Sequence, residues 1–226
     1  MGSQRKRPAR PLVLGLDLAG SPQRSTGCCL LDKDGTARTS VANSDQEILD
    51  LAQNPNLQLV TIDAPLSLPR GRESIDDRSG PHFRECDQEL RRLGIRFFPL
   101  TLGPMRMLTM RGMRLAGEFR QLGMTTVEGY PGGAQDLLGI PRKGAGIPEL
   151  QEALVRLGIT GDLRRRRLTH DELDAATIAW VGWRFLEGNA RVIGDPAEGI
   201  MILPSSRKSG RSAARPPGKE SALRQK

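Results

Sequence analysis

The run Leu12-Val13-Leu14-Gly15-Leu16-Asp17-Leu18-Ala19-Gly20-Ser21 decides the fold. Its first seven residues are almost wholly apolar, and Ala19-Gly20-Ser21-Pro22 is a turn cluster. The run therefore reads as a buried strand ending in a turn. Side chains alternate across a strand, so Leu12, Leu14, Leu16 and Leu18 share one face and Val13, Gly15 and Asp17 the other. A carboxylate set in so apolar a segment is costly to bury alone and calls for a partner.

Working outward, residues 25–31 predict a second strand and residues 36–41 a third, joined by the turn Asp32-Lys33-Asp34-Gly35. Ser44 and Glu47 have the spacing of a capping box and predict a helix to about Gln53. Residues 57–62 form a fourth strand, stopped by Asp63-Ala64-Pro65. A long segment follows, 66–123, rich in Gly, Pro and Arg at first and then helical over 83–93 and 105–122. Residues 125–128 give a fifth strand, closed by Tyr130-Pro131-Gly132-Gly133. Helices are expected over 148–157 and 169–186, the second with Thr169 and Glu172 in capping-box spacing. Residues 199–203 offer a last edge strand. Hairpins first and crossovers later imply an α/β fold with a mixed sheet and helices on both faces.

Composition narrows the function. The 226 residues suit one large domain, placed at 11–204. No apolar run approaches the ~20 residues of a membrane helix, and no apolar signal core follows the basic start, so a cytoplasmic protein with no membrane partner is expected. Three cysteines, Cys28, Cys29 and Cys86, are too few and too odd for a disulfide framework. With only His82 and His170, a zinc site or a Ser-His-Asp triad is poorly supplied. The net charge of +8 lies in the ends: residues 1–10 carry four basic groups, and residues 205–226 carry seven against Glu220. Both ends are expected to be basic and disordered, suited to loose, salt-sensitive contact with nucleic acid or simply to solvation.

The acids are the remaining chemistry. Asp17, Asp63 and Glu128 each end a predicted strand, and Asp171 and Asp174 share a face near the start of the last helix. Each also has a structural reading. Asp17 could hold turn amides, Asp63 could form an Asx-turn, Glu128 could pair with an arginine, and Asp171 could answer the helix dipole. Asp174 lies deeper, followed by the apolar run 175–180. The first and fourth strands are expected to be neighbours, which brings their acids together. Clustered carboxylates repel unless a cation neutralises them, and Mg²⁺ (or Mn²⁺) takes such oxygen ligands. Paired ions of this kind hydrolyse phosphodiesters without histidine.

Six motifs resemble a known family. They are Gly15-Leu16-Asp17-Leu18-Ala19-Gly20-Ser21, Ile62-Asp63-Ala64-Pro65-Leu66-Ser67-Leu68-Pro69, Arg84-Glu85-Cys86-Asp87, Leu108-Thr109-Met110-Arg111-Gly112, Glu128-Gly129-Tyr130-Pro131-Gly132 and Asp171-Glu172-Leu173-Asp174-Ala175-Ala176. In this order they resemble the RNase H-like nucleases predicted within the domain of unknown function 429 family. The resemblance implies an RNase H-like mixed five-stranded sheet with a helical and loop insertion after strand four. Through the wider likeness to RNase H and junction resolvases, it implies metal-binding acids at Asp17, Asp63 and Asp174, with Asp171 as a second helix candidate. Glu128 belongs to the family's own motif as a further catalytic candidate. Gly129 departs from the branched or apolar residue expected there.

Arginines crowd the insertion, and Arg84 and Arg111 are the candidates for substrate contact, against salt bridges as the alternative. The run Arg164–Arg167 could hold a backbone phosphate or be a solvated turn. Aromatics look too few and too scattered for a base-stacking platform. Two rivals to a nuclease stay open: an actin- or sugar-kinase-like phosphotransferase, whose first phosphate loop Gly15–Ser21 fits loosely, and a non-catalytic nucleic-acid-binding module.

Overall fold

The structure is a computed structural model that describes residues 10–205. The segments expected to be disordered therefore lie, apart from Arg10 and Ser205, outside the described residues. Arg10 pairs with Asp32 and Asp34 of the first hairpin.

Among the described residues the sheet has eight strands in the order β6-β3-β2-β1-β4-β5-β8-β7. The five expected strands form its centre: β1 Leu12–Asp17, β2 Thr26–Asp32, β3 Thr36–Ala42, β4 Leu57–Ile62 and β5 Thr126–Gly129. Strands β1 to β3 pair antiparallel, whereas β1, β4 and β5 run parallel. This is the RNase H-like mixed sheet. It is wider than five strands because the two-residue β6 Thr160–Gly161 joins beside β3 and the strand expected at 199–203, β8 Gly199–Pro204, joins beside β5. The last predicted strand is not an edge, because β7 Ala190–Asp195 covers it antiparallel.

Helices cover both faces, as expected. On one face lie α1 Asp45–Ala52 and α3 Gly103–Gln121, packed through Ile48, Leu115 and Phe119 on Leu12, Leu14 and Leu16. On the other, α4 Pro131–Leu138, α5 Ile147–Arg156, α6 Asp162–Arg165 and α7 His170–Leu186 pack on Val13, Cys29 and Leu59. Helix α2 Glu85–Arg92 builds a third cluster on β7 and β8 through Cys86, Leu90, Ile193 and Met201. The insertion after β4 supplies α2 and α3. The Thr169–Glu172 capping box is present and reciprocal; at α1 only its first half forms, the Ser44 hydroxyl accepting from the Glu47 N–H while the Glu47 carboxylate accepts from the Asn43 amide instead.

Glycines set how close α7 comes. A Cβ on Gly15 would stand 2.1 Å from the Ala175 carbonyl oxygen, and one on Gly27 would stand 2.1 Å from that of Asp171. The helix backbone thus rests directly on β1 and β2, immediately before the sheet's acidic edge.

Candidate active site

Asp17 ends β1, and the amide of Asp63 donates to the Leu16 carbonyl at 2.9 Å, carrying the β1–β4 register one step past Leu16↔Ile62. Parallel strands in register point paired side chains the same way. Asp17 and Asp63 therefore stand side by side on the α7 face, where Gly15 and Val13 also look. Close contact at Gly15 brings Asp174 of α7 down to them, 5 % exposed. The Asp63 carboxyl is pushed well above the usual carboxylate range, first by burial, then by the charges of Asp17 and Asp174 and by a hydrogen bond shared with Asp17. Carboxyls crowded in this way disfavour one another's charged form, which a bound cation would relieve.

Glu128 falls one step out of this register. It pairs with Ile62 rather than Asp63, so it faces the opposite side of the sheet. There Arg84, 2 % exposed, grips it through two bonds of 2.6 and 2.8 Å, and the Leu66 amide adds a third at 3.0 Å. Arg84 also holds Asp87, with bonds of 3.1 and 3.0 Å. Burial pushes the Glu128 carboxyl up while Arg84 pulls it down. Gly129 takes the place opposite Asp63, where a Cβ would crowd Ile178 at 3.1 Å, which accounts for its departure from a bulkier residue.

All four acids border one cleft of about 550 Å³ at the carboxyl ends of β1, β4 and β5. Asp171 does not line it; its backbone rests over Gly27 of β2, one strand away. Among the described residues no three His, Cys, Asp or Glu side chains already stand in a metal-holding arrangement. Asp63 is engaged with Asp17, Asp174 with Gln135, and Glu128 with Arg84.

The two arginines expected to meet substrate are committed elsewhere. Arg84 has its guanidinium shared between Glu128 and Asp87. Arg111, 5 % exposed, ties Asp45 of α1 to the carbonyls of Ala19 and Ser21, bracing the turn after β1. Both occupy the structural alternative because a buried guanidinium needs its N–H groups satisfied. Among Arg164–Arg167, Arg166 is spent on Glu172 and Thr39, and the run lines a different cleft beside α5.

Gln135 of α4 was not visible as a site residue. It is 2 % exposed, and its amide donates to Asp174 Oδ1 at 2.7 Å. Helix α4 begins at Pro131 and runs through Gly132 and Gly133, a stretch that reads as a turn. The only available signal was Pro at the first helical position.

The fold and its carboxylate edge define an RNase H-like α/β domain. Within that class the chain belongs to the family described as "Protein of unknown function (DUF429)", whose model matches residues 15–199. No curated protein matches the chain. Among solved structures it is similar to T. thermophilus RuvC, solved in complex with a Holliday junction substrate, at 14 % identity and a TM-score of 0.43, covering 79 % of this chain and 96 % of that one. No helix among the described residues is long and apolar enough to cross a membrane.

Proposed function

We propose that the protein is a divalent-metal-dependent nuclease whose ligands are Asp17, Asp63 and Asp174. The observation that carries this is the gathering of these three carboxyls at one sheet edge, where burial and the charges of Asp17 and Asp174 push the Asp63 carboxyl well above the usual carboxylate range. The donor set fits a hard cation: all oxygen, no thiol or imidazole, and an excess of negative charge that a cation would relieve. A bound Mg²⁺ or Mn²⁺ would supply water activation and charge stabilisation on the leaving oxygen.

The remaining roles belong to the chain. Gln135 fixes Asp174 by a buried hydrogen bond. Arg84 neutralises Glu128, so that carboxylate acts through the loop it holds at Leu66 and not as a ligand. Asp171, about one turn of helix before Asp174, does not line the cleft and is left out of the proposed ligand set. Nucleic acid is the polymer whose phosphodiesters this chemistry addresses.

The test is cleavage of single strands, duplexes, RNA–DNA hybrids and branched junctions with Mg²⁺ or Mn²⁺. Asp17→Asn and Asp174→Asn should each abolish cleavage and leave the circular dichroism unchanged. Wild-type protein that cleaves none of these substrates with either metal would sink the proposal. ATP-dependent phosphorylation in its place would favour the phosphotransferase, and binding unaffected by Asp17→Asn without cleavage would favour the binding module.

A further inference from the structure

The chain holds five Phe and one Tyr spread over its length, and the fold gathers several of them at one place. Phe83 precedes α2, Phe97 and Phe98 follow it, and Tyr130 follows β5; together they line a cleft of about 560 Å³. Phe97, Phe98, Tyr130 and Arg142 also line the carboxylate cleft, so the two are continuous.

Three of the rings are braced. Phe83 and Phe97 meet edge to face with centroids 6.0 Å apart, Arg91 lies 5.1 Å over Phe83, and the Tyr130 hydroxyl donates to the Arg96 carbonyl. Phe98 is different, being 69 % exposed. A single exposed phenylalanine means little. One set at the mouth of an aromatic cleft, beside a proposed catalytic edge, is a ready stacking face.

The charges point the same way. Arg91, Arg96 and Arg142 line this cleft and no carboxylate does. Among the described residues Arg91 and Arg96 form no ion pair, while Arg142 pairs with Asp136. Cationic groups beside flat apolar rings match a ligand that is anionic and carries π faces. A duplex hides its base faces; an unpaired nucleotide offers them.

We propose that the Phe98 cleft receives an unpaired nucleotide next to the scissile phosphate, with its base stacked on Phe98 and its backbone met by Arg91 and Arg96. This rests on the nuclease reading and names its substrate class: strands with unstacked nucleotides rather than blunt duplex.

The test is fluorescence anisotropy of the full chain in EDTA, with a short labelled single strand and a blunt duplex of the same sequence. Phe98→Ala should weaken single-strand binding by about 5- to 150-fold, and Phe98→Tyr should restore it. Duplex binding should be unchanged by either. An abasic site within the single strand should erase the difference between wild type and Phe98→Ala. Arg91→Ala with Arg96→Ala should flatten the salt dependence of single-strand binding by a log–log slope of about 1.4. The proposal is overturned if Phe98→Ala binds the single strand as wild type does, if wild type binds neither probe, or if it favours the duplex. Because no metal is present, absence of cleavage would count against the nuclease reading alone.

Discussion

Replacing Arg84 by methionine removes the cation shared by two buried carboxylates. Glu128 is 3 % exposed and Asp87 4 %, and both point at the same guanidinium. Stripping one partner from such a cluster leaves an uncompensated buried charge and costs about 3–5 kcal/mol. For a domain of this size that is a fall in Tm of about 6–20 °C. The cost should depend on pH. Without Arg84, burial and the Asp87 charge act on Glu128 against only the Leu66 amide and raise its folded pKa further above the unfolded value. Such a group favours folding below the unfolded pKa, and that stability is lost as pH rises through the folded one. The Arg84→Met penalty should thus be smallest at acid pH and grow towards neutrality. Glu128→Gln added to Arg84→Met should recover part of the loss at neutral pH. Arg84→Lys should not, because a single ammonium cannot span both carboxylates as the fork does. Urea melts followed by circular dichroism at several pH values measure this directly. A penalty below about 1 kcal/mol, or one independent of pH, would show that Arg84 is not what neutralises these buried carboxylates.

Further outcomes follow from the same geometry. Asp63→Asn should stabilise the metal-free protein near neutral pH, by about 1 kcal/mol or 2–4 °C in Tm, since it relieves a buried acid among acids. Because the folded pKa of Asp63 is raised, this gain should fade as pH falls through that raised value and be gone below the ordinary value of 3.8; a gain that persists in acid would show another cause. Gly15→Ala places a Cβ where the Ala175 carbonyl stands, so α7 must lift. A loss of about 1–3 kcal/mol together with weaker Mn²⁺ binding is expected in titration, and an unaltered Tm would contradict the close contact. Burial pushes the Cys28 thiol up to about 12 and raises Cys29 and Cys86 as well. A thiol reagent at pH 8 should therefore label all three only as fast as the protein opens, and a fast phase before unfolding would count against their burial.

Much of this was legible in the sequence because it depended on local pattern. The alternation through Leu12–Leu18 assigned Asp17 to the face opposite the leucines, and Gly15 and Val13 do meet α7 there. The spacings Ser44–Glu47 and Thr169–Glu172 located two helix starts. What escaped depended on register and on long-range closure. Glu128 lies at the carboxyl end of its strand as Asp17 and Asp63 do at theirs, yet it is the residue before the last of β5 and a one-residue offset in pairing turns it to the other face, and nothing in the string Thr-Val-Glu-Gly sets that offset. Arg84 and Arg111 look like phosphate ligands until the chain closes and Glu128 and Asp45 claim them. The aromatics looked scattered because 31 positions separate Tyr130 from Pro99, the residue after Phe98, and only the fold brings them to one cleft.

The proposed activity requires Asp17, Asp63 and Asp174 to hold a cation in common. Crystals grown with Mn²⁺, with data collected at the manganese edge, address this without reference to any substrate. An anomalous peak bounded by these three carboxylates is expected, with the Asp17–Asp63 hydrogen bond opened and Glu128 still on Arg84. No peak at that edge at saturating Mn²⁺, with Asp17 and Asp63 still hydrogen-bonded to each other, would show that these carboxylates hold no common cation.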